Sequence, residues 1–131
     1  MSARKYLTLE EAQRLVPQVR KRLLKVMKLN TAIEILSEIE ISFDDETEAT
    51  FSDIKFNKKF HSLCHRLFSE LELLMKMGAM LDDIEKGTVN FYSVHNGKPV
   101  VLCWRLGDKH IKYWREMDED FSERKPLSNL R

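Results

Sequence analysis

The chain has 131 residues, 43% hydrophobic and 33% charged, which is room for one domain with a packed core and a well-solvated surface. A formal net charge of +1 supplies no global field toward nucleic acid or membrane, and no window approaches the ~18 consecutive apolar residues of a membrane span. The two cysteines, Cys64 and Cys103, have no framework spacing, and the basic start has no apolar run behind it; free thiols and a cytoplasmic address are the expectation.

Thr8-Leu9-Glu10-Glu11 is a capping box, so a helix should begin there. Pro17 lacks an amide hydrogen, which predicts a kink or restart. Val16, Val19, Leu23, Val26, Asn30 and Ile33 then recur at spacings of three and four, widened by Leu36 and Ile39. Asn30 is a polar break in that stripe, able to fix register between helices or simply to reach water. Ile41 to Asp53 breaks the pattern with Asp44, Asp45, Glu46 and Glu48, after which Ser52 or Asp53 can cap a second helix. That helix carries Phe56, Phe60, Leu63, Leu67, Leu71 and Leu74 and should end at Gly78. Two helices joined by a modest loop should pack antiparallel.

After Gly78 the repeat shortens to two. Thr88 to Val94, Pro99 to Leu106 and Ile111 to Met117 alternate and are rich in β-branched and aromatic residues, and Ala79 to Asp83 can add a strand. Asn96-Gly97 is a strong hairpin signal and Gly107-Asp108 a second candidate turn. The predicted fold is therefore one α+β domain: a long antiparallel helical hairpin (8–77) packed on a three- to four-stranded antiparallel β-meander (79–117), followed by a charged tail (118–131).

If both turns hold two residues, Val89, Phe91, Val100, Leu102, Trp104, Ile111 and Tyr113 share an apolar face under the helices. The opposite face then carries Asn90, Tyr92, Val94, Val101, Cys103, Arg105, His110, Lys112, Trp114 and Glu116. Such a mixture is either covered, with Phe121, Pro126 and Leu127 of the tail at hand, or binds something. Its candidate binding residues are Asp83, Tyr92, Cys103, Arg105, Lys112, Trp114, Glu116 and Arg124, with Arg105 and Arg124 suited to a carboxylate or phosphate.

No catalytic motif stands out. His61 and His65 lie one turn apart, but nothing supplies the four ligands of a structural zinc, so no metal or cofactor is assigned. Cys103 near His110 invites a nucleophile reading, with a structural thiol the simpler one. Charge is polarised: eight Lys/Arg between Arg4 and Lys28, then eight acids and no base between Glu34 and Asp53. Arg14, Lys21, Lys25 and Lys28 form a stripe able to meet phosphates or an acidic stretch of this or a second chain.

Three functions follow as expectations. The first is an interaction module, a homodimer through the hairpin or a complex with another protein, because strands of seven or eight residues cannot cover the far end of so long a hairpin. The second is a small-molecule or metal-dependent enzyme on the open sheet face. The third is an RNA- or ribosome-associated protein using the basic helix.

Four segments resemble the uncharacterised domain-of-unknown-function family 2203: Asp83-Ile84-Glu85-Lys86-Gly87-Thr88-Val89-Asn90-Phe91, Val101-Leu102-Cys103-Trp104-Arg105-Leu106-Gly107-Asp108, Ile111-Lys112-Tyr113-Trp114 and Arg124-Lys125-Pro126-Leu127. The opening Leu7-Thr8-Leu9-Glu10-Glu11-Ala12 with Leu15, Val16 and Pro17 is similar to that family's start. The resemblance implies no activity, only that Asp83, Phe91, Cys103, Trp104, Arg105, Trp114 and Arg124 match signature positions. The chain departs from it at Asn90-Phe91-Tyr92, where the family usually has Asp-Phe-Pro, and at Arg115, where it often has His.

Overall fold

The computed structural model describes residues 5–43 and 50–130; the acidic run Asp44, Asp45, Glu46 and Glu48 lies outside the described residues. Two helices, α1 (Leu9–Phe43) and α2 (Thr50–Met77), pack on a sheet of β1 (Ala79–Asp83), β2 (Thr88–His95), β3 (Lys98–Arg105), β4 (Tyr113–Glu116) and β5 (Lys125–Pro126). The five strands lie in chain order, each antiparallel to the next. The α+β class is as expected, with one strand more than predicted because the tail supplies β5.

Helix α1 starts at its capping box. Glu11 N–H donates to Thr8 Oγ1 at 3.1 Å and Thr8 N–H to Glu11 Oε1 at 3.0 Å, which satisfies amides that the first turn leaves without helical partners. Those hydrogen bonds hold the Glu11 carboxyl below its usual range. The helix passes through Pro17 with no restart. Contacts between the helices pair rising numbers on α1 with falling numbers on α2. Lys5 Nζ, just before α1, donates to Lys76 O, and Arg22 meets Glu70 at 3.0 Å. Asn30 stays within its own helix, donating to Glu34 Oε1 at 3.2 Å. Gly78 ends α2 with φ +95°, and its amide donates to Met75 O. A Cβ there would sit 2.9 Å from Leu7 Cδ1.

Ala12, Val16, Val19, Leu23 and Val26 of α1 and Leu74 of α2 close on Val89, Phe91, Leu102, Trp104 and Ile111. The β2–β3 register is the predicted one, Val89 opposite Trp104 and Phe91 opposite Leu102. Its turn, Asn96-Gly97, has φ +52° and +76°, positive at both central residues as a right-twisted hairpin needs.

The next turn corrects the prediction. Asp108 N–H donates to Arg105 O at 2.9 Å, so the turn centres on Leu106-Gly107, with positive φ only at Gly107. That geometry splays strands instead of pairing them. Residues 106–112 become a longer connection, and β4 enters one residue later, with Leu102 opposite Trp114 and Cys103 opposite Tyr113. A slip of one residue exchanges the two faces. Trp114 therefore faces the helix side and packs against the core, and Glu116 shares that side opposite Val100, while Tyr113 moves to the back with Arg115. Ile111 is buried in the core as expected, but through the connection and not a strand. Gln13 of α1 holds it there: Ile111 N–H donates to Gln13 Oε1 at 2.8 Å, and Gln13 Nε2 to Ile111 O at 3.0 Å.

Candidate functional site

The sheet face turned away from the helices is not open. Its central row is Asn90, Cys103 and Tyr113, and the next is Tyr92, Val101 and Arg115. Asn90, Val101 and Cys103 are buried. The chain's own ends supply cover. Tyr6 bridges to Tyr92 in parallel, Leu7 N–H donates to Tyr92 O, and the two rings lie 6.3 Å apart. From the other end, the Arg124 guanidinium lies 4.3 Å from the Phe121 ring centroid and 4.7 Å from that of Tyr113. The tail then crosses the β5 edge, so Leu127 and Leu130 pack against the helix-side core and not on the back face.

Arg115 fastens this cover. Its Nη1 donates to the carbonyls of Glu116 and Glu119. Glu119 in turn accepts from Glu116 N–H at 2.9 Å and from Lys125 Nζ at 3.0 Å. The backbone donor, then Lys125, hold the Glu119 carboxyl below its usual range; the bond to Glu119 holds Lys125 above its own. Lys125 also sits 4.9 Å from the Trp114 ring centroid, whose Nε1 donates to Pro126 O at 3.2 Å.

The predicted binding residues therefore do not form one cluster. Cys103, Tyr92 and Arg124 share the back face, and Arg105 is exposed at its end, opposite Thr88. Asp83 serves a turn: its Oδ1 accepts from the amides of Glu85 and Lys86, and its carbonyl accepts from Gly87. Lys112 is exposed, its carbonyl accepting from Leu127 N–H. Trp114 and Glu116 line a cavity of about 390 Å³ on the helix side, beside Pro99, Val100 and Leu130. The residue that the sequence reading missed is Arg115, hidden by the one-residue slip.

Burial pushes the Cys103 thiol up to about 11, against the opposing pull of the Arg115 and Arg124 charges. A thiol held protonated is a poor nucleophile, and His110 is exposed on the connection before β4. The sign of the pH effect follows. The folded state keeps this proton above the ordinary value of 9.0, so the associated stability is complete below pH 9 and is lost as pH rises from 9 to about 11. Denaturant melts of the wild type and Cys103→Ala should converge over that window by an amount of order 2–3 kcal/mol. A pH-independent difference would contradict the burial.

Asn90 is 7% exposed, and its Oδ1 and the Arg115 Nε are buried without hydrogen-bond partners among the described residues. No group of three His, Cys, Asp or Glu among the described residues is placed to hold a metal.

The basic stripe is exposed. Lys25 and Lys28 border a groove of about 410 Å³ between the helices, whereas Arg14 and Lys21 do not line it. No helix among the described residues is long and apolar enough to cross a membrane.

A family model described as an uncharacterized conserved protein, DUF2203, matches residues 5–127. No curated protein and no solved structure matches the chain.

Proposed function

We propose that this chain, which belongs to the DUF2203 family, is an interaction module that pairs with a second copy of itself through the outer half of its two helices. The observation that supports this is where burial stops. The last buried residue described on α1 is Val26, yet the helix continues to Phe43; the first buried residue described on α2 is Leu63, yet that helix begins at Thr50. At about 1.5 Å per residue, the 35 residues of α1 extend roughly 52 Å. The longest strands, of eight residues, extend only about 27 Å.

The uncovered end carries several apolar side chains. Ile35 is 52% exposed and Ile39 41%, while Ile33, Leu36, Phe56 and Phe60 are half-buried. Phe56 and Phe60 stack at 6.0 Å. Two such ends packed into a four-helix arrangement give these side chains the second layer that the sheet does not reach.

Light scattering at tens of micromolar should give twice the chain mass, and Ile35→Glu with Ile39→Glu should give the chain mass with an unchanged far-ultraviolet spectrum. A wild type that stays monomeric would end this reading.

A small-molecule site on the back face is the second reading, favoured by the partnerless Asn90 Oδ1 and Arg115 Nε. The role proposed for that face is polar binding.

A further inference from the structure

We infer that the groove between α1 and α2 is a binding site for a compact anion carrying two or more phosphate groups. This is independent of the self-association proposed above. The groove, about 410 Å³, takes Lys25, Lys28 and Leu29 from α1 and His65, Arg66 and Ser69 from α2. Three fixed positive charges thus meet around one concavity, contributed by two elements far apart in sequence.

Counter-charge is what the groove lacks. Glu70 also lines it, but Arg22 Nη1 holds that carboxylate at 3.0 and 3.2 Å from its two oxygens. Among the described residues, Lys25, Lys28 and Arg66 form no ion pair and no side-chain hydrogen bond. Like charges gathered without a partner repel one another and are relieved by an anion between them. Arg66 offers a planar donor fork and the lysines point charges, a set that matches tetrahedral phosphate oxygens. Ser69 Oγ donates to His65 O at 2.9 Å, which leaves its lone pairs and not its proton facing outward. The main donors are therefore the three cations.

The groove's shape selects among phosphate ligands. Its lining includes neither Phe, Tyr nor Trp, so only His65 and Arg66 are there to stack on the bases of a single strand. Its volume suits a short polyphosphate.

Sodium tripolyphosphate is the probe, titrated calorimetrically into the full chain at low ionic strength. The expected result is saturable binding of one anion per chain that weakens steeply with added salt. Lys28→Gln combined with Arg66→Gln should weaken it at least about tenfold, because each removes a charge-assisted contact. Arg14→Gln removes the same kind of charge outside the groove and should change affinity by less than about twofold. All three positions are exposed, and matching thermal melts would verify that the variants fold.

Three results would overturn the site: no saturable binding, an equal loss in Arg14→Gln, or tighter binding of a single-stranded oligonucleotide of matched charge. Solution mass separates this from the earlier reading. A monomer that binds tripolyphosphate leaves the groove standing and removes only the self-association.

Discussion

Trp104→Ala should cost about 3–5 kcal/mol of stability, the range for deleting a large buried aromatic. Trp104 is 0% exposed, at the centre of the core formed by Val89, Phe91, Leu102 and the inner stripe of α1. Its Nε1 also donates to Asp108 O at 2.9 Å, so the same side chain fixes the turn that follows β3. Arg20 of α1 reaches that carbonyl too, at 3.4 Å, which brings helix, strand and turn together at one oxygen. Trp104→Phe separates the two contributions, since it keeps a ring and loses the donor. It should cost less than the alanine variant, and the remainder measures the hydrogen bond together with the smaller change in volume. Urea unfolding followed by circular dichroism reads both. In either variant Trp114 is the remaining tryptophan of the chain's two, so its fluorescence reports the β4 edge. A cost below about 1 kcal/mol for the alanine variant would contradict this packing.

Gln13→Ala should be the second most damaging change, by about 2–4 kcal/mol, although it alters a polar side chain. One amide satisfies both backbone groups of Ile111, at 2.8 and 3.0 Å. Ile111 is itself 2% exposed, so alanine at 13 leaves a donor and an acceptor without partners in a closed place, each costing about 1–3 kcal/mol. Gln13→Glu is the informative control. A carboxylate still accepts from Ile111 N–H but cannot donate to Ile111 O, and it should recover part of the loss at most. Hydrogen exchange at the Ile111 amide, compared in wild type and variant, tests the contact directly. If that amide is equally protected without Gln13, the clamp does not hold the connection.

These two residues also mark how far the sequence could be read. Trp104 opposite Val89 was legible because Asn96-Gly97 admits few backbone solutions, and one of them fixes the pairing of every residue on either side. Tyr113 and Trp114 were not, because Gly107 serves more than one kind of turn, and the choice between them shifts the next strand by one residue. That shift hid Arg115 and turned Trp114 toward the core. Leu106 before Gly107 was the available signal, since glycine third in a four-residue turn is ordinary for the form observed. Gln13 gave no sign at all, for its partner is a backbone 98 residues away. The capping box of α1 was legible down to its two hydrogen bonds, because a capping box is local. The basic groove was half visible. Lys25 and Lys28 declared themselves by spacing, whereas Arg66 joins them only through the alignment of two helices, which neither helix encodes alone.

The way the sheet's margins are finished has a consequence for handling the protein. An uncovered strand offers a row of amides and carbonyls to any passing chain, and that invitation leads to aggregates. Here Tyr6 and Leu7 are laid along β2 beyond the start of β1, and β5 covers two residues of β4 on the other side. Segments far apart in the chain thus pair the stretch of β2 that β1 leaves free and two residues of β4. Trimming either end past Leu7 or Lys125 would bare a stretch of strand and also take Leu7, or Leu127 and Leu130, from the core, so solubility and stability should fall together.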